Sequence, residues 1–344
     1  MPTMSQESVK TLPMYSRTSM SLHEICSAMS NDLPSLEGFK GGWASTNDYE
    51  ANLRRAGVAP PVSAPVVFAA TDLLPEMLMA RFYYWDAPPP GASNEQDHDP
   101  LLTRRLNAID VLVTEPTVGR IGILFSTRTR PYLNKSDGVI ASLNKILQSR
   151  DATIKIDPWH SHLALKNEEI FLWLVVQQRD KPQLAGDLHL DMITGISSYD
   201  EARRPADLRA GVDFERPNFL TAVAEVDTLG PIDICFVHNA GDESRSYEVR
   251  VHVDGGFEIR KNRIHFPDSL NHAALMLQTT LFLAYSLIPR INDLYIADES
   301  SWADQRVTVI QSAMTALEER YKSRRAVLQM QLEDSSAKAK PIST

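Results

Sequence analysis

This chain is poor in the features that announce a familiar chemistry. Its 344 residues include two cysteines, Cys26 and Cys235, far apart and in no CxxC pair. That excludes a disulfide scaffold, disfavours a cysteine-ligated zinc site and fits a reducing, cytoplasmic setting. No Walker A string, GxGxxG string or GxSxG elbow occurs, so the usual phosphate loop, dinucleotide fingerprint and serine-hydrolase turn are missing. The opening MPTMSQESVK has no apolar core of the secretory type. A net charge of -9 argues against a surface that is basic throughout. The longest apolar stretch, Leu270 to Ile288, is broken by Asn271, His272, Gln278, Thr279 and Thr280. It reads as a buried helix, with no membrane span expected.

What is present is an ordinary globular composition. Hydrophobic residues make up 43% and charged residues 23%, enough apolar surface for one large or two ordinary domains. Residues 1–60 read as a polar segment with short helices. One is opened by a capping box of Ser21 and Glu24, and another by Ser45 or Thr46 before NDYEANLRRAG, with Gly57 as its stop. Residues 61–107 form a proline-rich connector and an exposed loop (86–100), with MLMARFYYWD between the proline runs as a strand.

Residues 108–268 read as a strand-rich core. AIDVLV and RIGILFS flank a turn at TEPTVG, and GVIASLNKILQSR repeats at helical spacing. IFLWLVVQQ suits a buried central strand, DLHLDMI alternates as a half-buried one, and IDICFV is a further strand. Between them, 197–217 reads as irregular and FLTAVAEV as a short helix. SYEVRVHVDGGFEIRKNRIHF is a hairpin turned at Asp254-Gly255-Gly256. Residues 269–334 read as helical: Ser269 caps the first helix, Pro289 ends or kinks it, and Ser300 or Ser301 caps a second running to about Leu332. Residues 335–344 read as a disordered tail. The expected class is therefore α+β, with a mostly antiparallel mixed sheet in the middle of the chain and a helical C-terminal region.

Three constellations carry candidate chemistry. The first is His160 and His162, two apart, with Asp187, His189 and Asp191 at the same step. On two adjacent strands these would share faces and could hold a divalent metal ion for hydrolysis; the plain alternative is the wet face of a sheet. The second is basic: Arg128, Arg130 and Lys135 in FSTRTRPYLNKS, and Arg260, Lys261 and Arg263 in EIRKNR. Clustered cations beside hydroxyl donors suit phosphate, on nucleic acid or a nucleotide. The third is the stripe Ile310, Met314, Leu317, Tyr321, Leu328 and Leu332, close to a heptad seam with Arg324 in its gap. It fits either a second copy, or another protein partner, along 300–332, or the Leu270–Ile288 helix of the same chain.

The echoes of a nuclease site, such as Asp254 with Glu258-x-Arg260, fail because arginine stays protonated and cannot act as the base. The leading expectation is a non-catalytic binding protein without a cofactor, with a basic patch for a phosphate-bearing partner and a C-terminal helix for protein contacts. The alternatives are a metal-dependent hydrolase or phosphodiesterase and a structural assembly subunit.

Overall fold

The computed structural model describes residues 7–46, 59–72, 74–86, 104–200, 205–209, 216–226, 228–241, 243–266 and 272–338. The fold is α+β, and every strand pairing with a described register is antiparallel. The chain forms two compact units, neither of them contiguous in sequence. One takes residues 1–166 and 238–292; the other takes 167–237 and 293–344. The segments expected from composition follow one another along the chain, whereas each unit closes on itself through distant segments.

The first unit is built on a six-stranded sheet. Its strands are β2 (Leu12–Arg17), β3 (Gly42–Ala44), β4 (Val66–Phe68), β5 (Met77–Asp86), β6 (Arg105–Thr117) and β7 (Arg120–Phe125). The order is β2-β7-β6-β5-β3, with β4 also on β5. Alternate side chains of the long strands, such as Leu78, Ala80 and Phe82, meet α1 (Leu22–Ser30) in one core. That core also takes Val139, Leu143 and Leu147 of a second helix, Val139–Gln148. The capping box is as expected: Ser21 Oγ accepts from the Glu24 N–H, and Glu24 accepts from the Ser21 N–H at 2.8 Å. Pro13 is tolerated because β2 lies at the edge of its sheet.

The opposite face of β5 is buried too, and it contains a charge. Arg81 and Asp110 sit opposite each other on β5 and β6 and are joined at 2.6 and 3.1 Å. Both are sealed from solvent. The same unit holds β1 (Ser8–Lys10), β12 (Glu243–Val251) and β13 (Phe257–His265), in the order β1-β13-β12. The expected hairpin is β12–β13, turned at residues 252–256. Gly255 has φ +77°, and a side chain there would meet the Leu163 carbonyl, so both dihedral and space require glycine.

The second unit contains β8 (Gln183–Ala185), β9 (Leu188–Tyr199), β10 (Pro205–Arg209) and most of β11 (Thr228–Ala240). The order is β11-β9-β10, with β8 on β9. Residues 169–180 correct the reading of IFLWLVVQQ as a strand, because they form a helix. Ile170 to Gln177 are all buried, so no exposed face interrupts the apolar run and the helical period is invisible in it. Trp173 of this helix donates to Asp298 at 2.8 Å and stacks edge-on against Tyr295. The short helix expected at FLTAVAEV is Pro217–Ala224.

Two expectations at the C-terminal helices are also corrected. Of the two alternatives expected at Pro289, an end or a kink, the end does not occur: after the helix His272–Phe282 a π-turn at Leu283–Leu287 leads into one helix, Ile288–Lys338. Proline lacks an N–H and crowds the carbonyl four residues back, and the widened turn just before it accommodates both effects. Ser300 and Ser301 cap nothing, being interior to that helix. Among the described residues one helix is long and apolar enough to cross a membrane by length and composition, and most of its apolar window is buried in protein. The helix expected after Ser45, most of the loop 86–100, the Ser269 cap and positions 339–344 of the tail lie outside the described residues.

Candidate functional site

The basic windows divide into paired and unpaired cations. Arg128 is a clamp: its two terminal nitrogens reach both oxygens of Asp254 at 3.1 and 2.8 Å, and one also donates to the Thr11 carbonyl at 2.9 Å. Lys135 donates to Asp86 at 2.7 Å and lies over the rings of Tyr84 and Tyr132. Arg263 pairs with Glu248. Three of the six expected phosphate ligands are thus already held by carboxylates. Arg130 lies 5.0 Å over the ring of Trp159, which is 80% exposed. Arg260 and Lys261 are exposed on β13, and among the described residues neither forms an ion pair with a carboxylate.

The histidines and aspartates expected to converge lie in different units: His160 and His162 in the first, Asp187, His189 and Asp191 in the second. Among the described residues, no group of three or more His, Cys, Asp or Glu side chains is placed to hold a metal ion. The strand geometry that would have aligned them is also corrected. Residues 158–165 form a loop, and Asp187 lies in the turn between β8 and β9. Asp157 accepts from the N–H of Trp159 at 2.8 Å and of His160 at 3.2 Å, an Asx turn in which Pro158 fixes one dihedral. Only His189 and Asp191 share a strand face as expected; His189 is half-buried on β9, paired with Gln183.

That loop instead forms one wall of a cleft. The Asp157 N–H donates to the Tyr15 carbonyl at 2.7 Å, tying the loop to β2. The cleft measures about 480 Å³ and is lined by Tyr15 and Arg17 of β2, Pro116, Thr117 and Arg120 from the β6–β7 end, and the loop residues 157 and 160–162. Asp157 holds His160 Nδ1 at 2.6 Å. Hydrogen bonds, chiefly from the Trp159 N–H, keep the Asp157 carboxyl below its usual range, so it is ionised.

His162 lies deeper, stacked on Tyr285 at 6.4 Å. Burial pushes its imidazole down to about 4, offset only in part by the Met14 backbone. Neither ring nitrogen reaches a hydrogen bond of ordinary geometry among the described residues. A side chain at position 122 would occupy the place of this ring, which is why β7 carries Gly122 there. Sequence reasoning missed Tyr15 and Arg17 as site residues. The alternation in LPMYSR puts them on one face of a strand, opposite Met14 and Ser16, and that pattern was available.

The C-terminal helix presents the other unusual surface. Its buried residues are Ile288, Ile291 and Tyr295 and, further along, Trp302 and Ala313, with Ile310 and Leu317 half-buried. Val307, Met314, Tyr321 and Leu328 stand seven apart and are exposed by 50, 56, 67 and 46%. From Glu318 to Glu333 every residue is exposed.

No protein-family model matches the chain, and no curated protein does. Among solved structures, the di-domain ARO/CYC StfQ from the steffimycin biosynthetic pathway aligns over 91% of this chain and 99% of its own, at 8% identity and a TM-score of 0.16. A score that low carries no argument about fold or function.

Proposed function

We propose that this chain is a binding and assembly protein without chemistry of its own, and that its C-terminal helix pairs with the same helix of a second copy. The observation that supports this is the exposed column Val307, Met314, Tyr321 and Leu328. A seven-residue apolar period is the signature of a helix seam, and large apolar side chains spaced so regularly are not left in water without a use. An isolated helix of about 12–15 residues is marginal in water. The stretch 318–333 is of that order and is exposed on every side, so a partner would supply the packing that its own unit does not.

Charge chooses the orientation. In a parallel pair Arg324 would face its own copy in the seam, and Arg320 would face Arg325 across it. In an antiparallel pair centred between Tyr321 and Arg324, Glu318 meets Arg325 at both ends and the Arg324 stem lies beside Tyr321. Opposite charges flanking a seam select partner and direction. Neither cysteine is in a disulfide, and the Cys26 thiol donates to the Pro65 carbonyl, which fits a reducing compartment.

The test is oligomeric state. The full chain at micromolar concentration should have twice the monomer mass by light scattering. Tyr321→Glu with Leu328→Glu should halve that mass and lower the circular dichroism at 222 nm by no more than the helix of residues 318–333, which loses its partner, while the melting midpoint of the core stays that of a folded monomer, since both residues are exposed. A monomeric wild type ends the proposal; so does a double variant that stays dimeric.

A further inference from the structure

Arg17 and Arg120 are directly opposite each other on β2 and β7. Both are exposed, and among the described residues neither forms an ion pair with a carboxylate. Like charges placed directly across a pair of strands destabilise it, so this arrangement works against the sheet unless something sits between them. Their neighbours do not neutralise them. Glu115 accepts from the Gly119 N–H at 3.1 Å. Asp157, the one carboxylate in the cleft lining among the described residues, is engaged by His160 and two backbone N–H groups. Arg120 also lies 5.9 Å over the Tyr15 ring, which keeps its guanidinium on the cleft side of the strand.

We propose that the cleft is a binding site for the phosphate group of a small phosphomonoester, held between Arg17 and Arg120. A guanidinium offers planar, paired donors that match phosphate oxygens. A phosphomonoester carries about 1.5 to 2 negative charges near pH 7, enough to balance the two cations. The Asp157 contact orders the His160 ring by its Nδ1, and the Thr117 hydroxyl is a neutral donor on the same lining. The volume, about 480 Å³, falls in the range of roughly 300–1,000 Å³ usual for small-molecule sites. The ring of His162 and the half-buried Tyr15 give the remainder of such a molecule an apolar surface. None of this depends on self-association, and these arginines are not among the six cations of the basic windows assigned to phosphate.

The experiment is thermal denaturation in a zwitterionic buffer at constant ionic strength, with inorganic phosphate, glycerol phosphate or a phosphodiester oligonucleotide added. Wild type, Arg17→Gln, Arg120→Gln and Lys261→Gln are compared. Millimolar glycerol phosphate should raise the wild-type and Lys261→Gln midpoints by a few degrees. The shift should vanish in both arginine variants, which without anion should melt at or above the wild-type midpoint, since repulsion has been removed. Phosphorus NMR line broadening, read on the same proteins, should weaken at least tenfold in the variants. An undiminished shift in Arg17→Gln and Arg120→Gln would overturn the site. Variants that melt below wild type in anion-free buffer would overturn the repulsion on which it rests. Equal response to the oligonucleotide diester would overturn the small-monoester assignment.

Discussion

Two pairs of residues on the same six-stranded sheet show opposite treatments of charge. On β5 and β6, Arg81 faces Asp110, and both are buried and joined by two hydrogen bonds. On β2 and β7, Arg17 faces Arg120, and both stand in solvent without a carboxylate between them. The first pair is internally complete, and its removal should only harm the fold. The second is incomplete, and its removal should cost the fold nothing. Availability for a ligand is thus a property of what stands opposite a charge, and the number of cations in a sequence window does not measure it. The Arg128 window makes the same point, since its first cation is already held by Asp254.

The largest effect expected from this contrast is at the buried pair. Arg81→Leu leaves Asp110 charged and alone, and should lower unfolding free energy by about 3–5 kcal/mol in urea denaturation. Arg81→Leu with Asp110→Leu should recover most of that loss. Arg128→Gln, at a pair that is partly exposed, should cost about 1 kcal/mol. If Arg81→Leu is no worse than Arg128→Gln, the buried pair is not the complete unit described.

His162 is the buried base in this set. Its folded pKa of about 4 lies below the ordinary 6.5, because burial disfavours the imidazolium. Above pH 6.5 the ring is neutral in both folded and unfolded chains. As pH falls from 6.5 towards 4 the unfolded chain gains a proton that the folded one does not, so stability is lost, by up to about 3 kcal/mol. His162→Gln should flatten the stability profile across that window. It should leave the lower window untouched, where Glu258, held at about 2 by contact with His252 and Lys10, loses its contribution as pH falls from 4.5. A profile with the same slope between pH 6.5 and 4 in wild type and variant would show that His162 titrates freely.

The smallest effect concerns charges that find partners only in another copy. Arg325→Glu sets a carboxylate against Glu318 in an antiparallel helix pair and should weaken dimerisation several-fold, measured by sedimentation. In a parallel pair the same change would place the new carboxylate beside Arg320 and tighten the dimer. Tightening would therefore refute the antiparallel arrangement while leaving the dimer itself intact.

Much of the local structure was legible in the residues. The Ser21–Glu24 box, the helix at 139–148, the turn between β6 and β7, and the hairpin at 252–256 all follow from spacing and turn chemistry. Two failures have separate causes. The helix at 169–180 is buried all round, so its apolar residues show no period, and Val175 and Val176 favour a strand on propensity alone. The loop at 157–162 has the alternation of a strand, but Asp157 captures two backbone N–H groups and breaks it. The candidate site was less legible than the fold. Its arginines are more than a hundred residues apart, and only the β2–β7 register brings them opposite each other.

The interleaving of the two units has a consequence for synthesis. The first unit needs residues 238–292 to complete it, and the second needs the helix that follows residue 293. A ribosome delivering the chain in order therefore exposes most of both units before either can close. The β5 and β6 strands, buried on both faces over most of their length once folded, emerge well over a hundred residues before the last segment of their own unit. Pairings this distant in sequence form slowly, and unfinished sheets present sticky edges while they wait. The nascent chain should accordingly depend on holdase chaperones more than a protein of the same size with contiguous domains.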